Sequence, residues 1–106
     1  MWFCRGMIMY ERILQQMREC IRTKQYVMTI HATDEMYDDK LSIFDVESAV
    51  LTGEITERQK DSATGEWKYV LKGQTLSEEN VFVVGKISPV SKLVMITVFR
   101  EQQEKP

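Results

Sequence analysis

The boundary at Gly53 constrains this chain more than any other feature. On its N-terminal side, Ser42-Ile43-Phe44-Asp45 has the form of a capping box. The Ser42 hydroxyl accepts from the backbone N–H three residues on, and the Asp45 carboxylate, a shorter stand-in for Glu, reaches back. Leu41 and Val46 stand at the spacing of a hydrophobic staple. Ile43, Val46, Ala49 and Val50 carry a helical period forward, and Gly53 is placed to end the helix in the left-handed conformation that glycine favours. Glu54–Gln59 follows at once and reads as a strand. The chain therefore changes from helical to extended patterning at one residue.

Before that boundary the patterning is helical with one short interruption. Tyr10, Ile13, Leu14, Met17 and Ile21 fall on one helical face from about Ile8 to about Thr23, which predicts an amphipathic helix that covers the core, with a partner- or membrane-docking helix as the alternative. Tyr26–Ile30 is rich in β-formers and predicts a short strand. His31 to Asp38 predicts a short helix with Ala32 and Met36 inward, and Asp38-Asp39-Lys40 a turn. After the boundary, Trp67–Lys72 alternates, with Trp67, Tyr69 and Leu71 on one face and Lys68, Val70 and Lys72 on the other. Val81–Ile87 and Leu93–Phe99 are apolar on both faces, as central strands would be, and turn-rich segments separate the strands. Helices followed by a run of strands predict an α+β fold: two to three N-terminal helices on a four-stranded antiparallel meander sheet, with Tyr26–Ile30 a candidate fifth strand at an edge. One domain is expected over residues 9–100, preceded by an extension over 1–8 and followed by a polar tail over 101–106.

The 106 residues suffice for one core, and 43% hydrophobic with 28% charged residues is a globular composition. The longest apolar runs, four residues as at Met1–Cys4 and Met7–Tyr10, are too short for a signal peptide or a membrane helix, so a cytoplasmic protein with no membrane partner is expected. Two distant cysteines and one histidine do not supply a metal-ligand set; no metal and no cofactor are expected. Charge is segregated. Residues 1–30 carry five Lys/Arg against two Asp/Glu, residues 31–66 three against ten, and residues 67–106 six against four, giving +3, −7 and +2. The acidic middle argues against general nucleic-acid binding and leaves room only for a small basic groove.

Among residues that could carry chemistry, His31 stands first, because imidazole titrates near neutral pH. The structural alternative is that it caps its helix or bonds a strand carbonyl. Glu54 and Glu57 are three residues apart, an odd spacing that puts them on opposite faces unless a bulge intervenes. Lys68 and Lys72 share a face, which suits a phosphate groove, although solubility alone accounts for exposed lysines. Lys86 and Arg100 interrupt apolar strands near their ends. No catalytic triad, Gly-rich phosphate loop or nucleophile elbow is present.

His31-Ala32, Met36, Ser42, Asp45-Val46, Gly53-Glu54-Ile55 and Glu57, followed by Tyr69-Val70-Leu71-x-Gly73 and Ile96-Thr97-Val98-Phe99, resemble a small bacterial domain of unknown function. That domain is similar to the BrnT branch of the RelE/ParE toxin-like fold. The likeness spans about Tyr26–Arg100 and implies helices packed on an antiparallel sheet. It further implies a toxin of a toxin–antitoxin pair: a metal-independent endoribonuclease that drives the RNA 2′-hydroxyl onto the adjacent phosphate, with RNA and a cognate antitoxin as partners. On that reading His31 is the acid/base, Glu54 and Glu57 match the family's Gly-Glu-Ile-x-Glu segment, and Lys68, Lys72 and Arg100 contact phosphate. The chain departs from the family pattern at Asp39 (often Arg), at Asn80-Val81-Phe82 (often His) and at Phe99 (often Tyr). The alternative from another class is a non-catalytic interaction module that uses its acidic 31–66 surface to dock a basic protein. Oligomeric state is left open.

Overall fold

The computed structural model describes residues 5–101, with side chains from Tyr10 onward. Three helices, α1 (Arg5–Arg22), α2 (Ile30–Asp38) and α3 (Ile43–Thr52), accompany five strands: β1 (Tyr26–Met28), β2 (Glu54–Lys60), β3 (Trp67–Gln74), β4 (Asn80–Ile87) and β5 (Leu93–Arg100). The strand order is β1-β5-β4-β3-β2. β2 to β5 form the antiparallel meander that the alternation predicts. Residues 1–4 of the expected extension and 102–106 of the expected tail lie outside the described residues, and α1 begins at Arg5, ahead of the predicted start near Ile8.

The expectation of a wholly antiparallel sheet is corrected at its edge. β1 pairs with β5 in parallel, Tyr26 opposite Leu93 and Met28 opposite Met95, so the sheet is mixed. The connection from β1 to β2 runs through both α2 and α3, long enough to carry the chain to the far edge instead of into a hairpin. Three successive hairpins then return it alongside β1, travelling in the same direction. β1 also stops earlier than Tyr26–Ile30, because Thr29 caps α2: its hydroxyl accepts from the Ala32 N–H at 3.1 Å.

The capping box at α3 is complete. Ser42 Oγ accepts from the Asp45 N–H at 3.1 Å, and Asp45 Oδ2 accepts from the Ser42 N–H at 3.1 Å. Asp45 Oδ1 also accepts from the Leu76 N–H, which ties the β3–β4 turn to the helix start. The backbone N–H of Ser42 holds the Asp45 carboxyl below the ordinary carboxylate range, with Leu76 and the Ser42 hydroxyl adding to this. A carboxyl depressed on folding stabilises the fold above its unfolded pKa, and that contribution fades as pH falls through the folded value. Asp45→Ala should therefore cost about 1–2 kcal/mol near pH 7. The gap in urea midpoint between the two proteins should narrow as pH falls below the ordinary carboxylate range, where the Asp45 carboxylate takes up its proton.

All three helices share one core with one face of the sheet. Met17, Cys20 and Ile21 of α1, Ala32 and Met36 of α2, and Val46, Ala49 and Val50 of α3 meet Ile55, Leu71, Val81, Val83, Leu93, Met95 and Val98. Gly53 does not adopt the expected left-handed conformation; its backbone is extended, at φ −87° and ψ 173°. Glycine is required there for space, since a Cβ would lie 2.5 Å from the Ala49 carbonyl oxygen. At Gly73 on β3 a Cβ would lie 1.9 Å from that same atom, so the last turn of α3 rests directly on strand backbone. Arg18 of α1 donates to the Gly53 carbonyl at 3.0 Å and places a cation at the α3 C-terminus.

Among the described residues every helix lies on one side, and the opposite face of the sheet has no helical cover. Phe82, Val84, Val94 and Thr97 are therefore only half-buried and Phe99 is exposed. The two-sided apolar patterning of β4 and β5 marks their central place in the strand order but not burial of both faces. Among the described residues no helix is long and apolar enough to cross a membrane.

Candidate functional site

The helix-free face of the sheet gathers four of the six residues singled out in the sequence. β2 carries a bulge between Ile55 and Glu57, so that Glu54 pairs with Lys72 while Glu57 pairs with Val70. The extra residue, Thr56, cancels the odd spacing and turns Glu54 and Glu57 onto the same face. Two rows cross the sheet there. Glu54, Lys72, Phe82 and Phe99 form one, and Glu57, Val70, Val84 and Thr97 the next. Lys68 stands beside them, opposite Gln59. A second irregularity, in β5, where Val84 pairs with Thr97 but Gly85 with Met95, lies just beyond the second row.

The Phe82 and Phe99 rings stack at 5.1 Å with 22° between their planes. Lys72 Nζ lies 5.7 Å from the Phe82 centroid and 3.1 Å from Glu101. Hydrogen bonds from Asn80 and Lys72 hold the Glu101 carboxyl below the ordinary range, so Glu101 belongs to this face and not to a free tail. Gln59 donates to Glu57 at 2.7 Å. Between the Lys72 row and the end of α3 lies a shallow depression of about 300 Å³, lined by Thr52, Glu54, Thr56, Lys72, Gln74 and Asn80 among others.

His31 and Arg100 lie elsewhere. His31 is in the first turn of α2, its side chain 67% exposed, with Nε2 3.1 Å from Glu35. α2 packs over β1 and β5 on the helical side, so His31 is not brought together with Lys68 or Lys72. Arg100 ends β5 and is committed within the fold: its guanidinium donates to the Asp39 carbonyl at 2.6 Å and pairs with Glu79.

The acidic middle of the sequence is largely used as acceptors. Glu35 accepts from the Val98 N–H at 3.0 Å, Asp39 from the Arg100 N–H at 2.8 Å, and Asp45 serves its cap. Glu47 is paired with Lys24 at 2.8 Å and accepts from the Tyr26 hydroxyl. Burial, then the bond to Glu47 and its charge, push the Tyr26 hydroxyl up to about 12. Burial raises the Glu47 carboxyl, but Lys24 and Tyr26 outweigh it and the net shift is downward. Among the described residues no three His, Cys, Asp or Glu side chains converge to hold a metal ion.

A family model described as a domain of unknown function (DUF4258) matches residues 28–100. The chain belongs to the DUF4258 family. No curated protein and no solved structure matches it. The matched segment of this DUF4258 domain begins at Met28 in β1 and takes in α2, α3 and the whole meander, so it holds all six candidate residues. Sequence reasoning did not mark Phe82, Asn80 and Glu101 as members of one face. The two-sided apolar pattern read for β4 gave no reason to separate Asn80 and Phe82 from Val81 and Val83, and Glu101 was read as part of the tail.

Proposed function

We propose that this DUF4258 domain is a RelE/BrnT-like toxin domain that acts on RNA through the open face of its sheet. The observation that carries the reading is the bulge at Thr56, which sets Glu54 and Glu57 beside Lys68 and Lys72 next to the Phe82–Phe99 stack. Stacked aromatics accept unpaired bases, and lysines accept phosphate. Lys72 is held by Glu101 only through a partly exposed pair, 40% and 35% accessible, which a phosphate can displace.

In this reading Glu57 takes the proton of the RNA 2′-hydroxyl as its oxygen bonds to phosphorus. The bond to the 5′-oxygen breaks, Lys72 hands that oxygen a proton, and Lys68 stabilises the charge on the pentacoordinate phosphorus oxygens. Glu54, opposite Lys72, orients it. Acid–base work thereby passes from His31 to Glu57 as base and Lys72 as acid. Cleavage of a single-stranded RNA to 2′,3′-cyclic phosphate ends should fall about a hundredfold or more in Glu57→Gln, while His31→Ala keeps its rate. Full activity in Glu57→Gln, or loss in a folded His31→Ala, overturns this assignment.

A second reading, the non-catalytic interaction module, draws on apolar exposure of the helical side, where Ile30, Tyr37 and Phe44 are 82%, 69% and 61% exposed. A partner there, a cognate antitoxin included, would meet those side chains more than the acids, four of which already serve the fold. Tyr37→Asp with Phe44→Asp that abolishes capture of a neighbouring gene's product, in a protein inert toward RNA, would favour the module.

A further inference from the structure

The end of the β2–β3 hairpin farthest from Gly53 carries a cluster that the sheet-face reading does not use. Arg58 lies over the Trp67 ring, 4.1 Å from its centroid, and Lys60, opposite Trp67 in the register, lies 5.6 Å from it. Trp67 is 40% exposed, and both cations are exposed. Among the described residues neither cation has a carboxylate partner, whereas Lys24, Lys72, Lys86 and Arg100 each have one. The neighbouring acids are engaged: Asp61 accepts from the Ala63 and Thr64 N–H groups, Glu66 pairs with Lys86, and Glu57 accepts from Gln59. Two uncompensated cations are thus layered on an aromatic platform on the helix-bearing side of the sheet, the side Trp67 shares with Leu71.

A guanidinium over an indole keeps N–H donors free for phosphate and offers its planar group to a base. Single strands bind such surfaces because their bases are unstacked and available, while a duplex offers only its phosphates. We propose that Arg58, Trp67 and Lys60 form a contact for single-stranded RNA, with a base layered on the Arg58–Trp67 pair and adjacent phosphates on Lys60 and the guanidinium edge. The inference rests on the domain acting on RNA, and it carries the strand's path from the open face around the hairpin end to the opposite side of the sheet.

Anisotropy of a labelled oligouridylate titrated with the full chain reads this directly. Arg58→Gln with Lys60→Gln should weaken binding about tenfold or more and lower the slope of log Kd against log salt by about 1.4. Trp67→Leu should weaken it about tenfold, and Lys92→Gln, an exposed lysine elsewhere, should change nothing. Wild-type affinity in the double variant across the salt series, or equal affinity of the wild type for a duplex of the same length, overturns the proposal. Undiminished cleavage by the double variant would remove the hairpin contact and leave the sheet-face reaction standing. Arg58- and Lys60-dependent binding without any cleavage would remove the reaction and leave the contact.

Discussion

Gly73→Ala should destabilise the domain by about 3 kcal/mol, a large share of what a domain this size has. The added methyl would sit 1.9 Å from the Ala49 carbonyl oxygen, 2.6 Å from its carbon and 2.8 Å from its Cα. All three atoms are helix backbone, so no rotamer change relieves the overlap, and α3 has to lift from β3. That movement opens the contacts of Val46 and Val50 with the sheet, both fully buried. It also pulls at Ser48 and Thr52, whose hydroxyls donate to the Gln74 carbonyl at 2.9 and 3.4 Å. Urea unfolding followed by circular dichroism measures the loss. A midpoint shift equivalent to less than about 1 kcal/mol would mean that α3 rides on β3 far more loosely than a packed interior allows.

The second large effect is expected where β5 outruns its neighbour. β1 covers β5 only from Leu93 to Met95, so the N–H groups of Val98 and Arg100 point to an edge that no strand fills. Glu35 on α2 and Asp39, which caps its C-terminus, accept those two bonds at 3.0 and 2.8 Å. The two carboxylates do the work of the missing strand's carbonyls. Replacing both with alanine should cost about 2–5 kcal/mol, since each bond has a charged partner and leaves a part-buried donor unpaired. The two losses need not add, because both sites lie on one helix against one strand. Glu35→Gln with Asp39→Asn, which keeps a carbonyl acceptor at each place, should recover part of the loss. His31→Ala should move stability by less than about 0.5 kcal/mol, because its tie to Glu35 is an exposed pair. A double-alanine protein as stable as the wild type would show that water serves these N–H groups equally well.

Glu35 and Asp39 also explain why the acidic middle of the chain was misleading in sequence. A count of charges treats them as surface, whereas each is an acceptor placed by α2 against an edge more than 60 residues distant in the chain, the separations being 63 and 61. Asp39, which departs from the RelE/BrnT-type pattern, has this structural task. Glu54 and Glu57 illustrate the opposite case. Their spacing in sequence argues for opposite faces, and one inserted residue, Thr56, reverses the conclusion.

What the sequence determined by itself is local. The capping box at Ser42 and Asp45, the inward period of α1 and the alternation of β3 are set by contacts within a few residues, and each is present as read, with Leu41 and Val46 both buried beside the cap. The helix-to-strand change at Gly53 is likewise where the pattern puts it, although for reasons of space and not of backbone conformation. The tertiary structure decided the parallel pairing of β1 with β5, the bare face of the sheet, and the separation of His31 from the lysines. Those features depend on pairings between residues far apart in the chain, such as Thr29 with Ile96, 67 positions on. Local propensity has no term for which face three helices will leave uncovered.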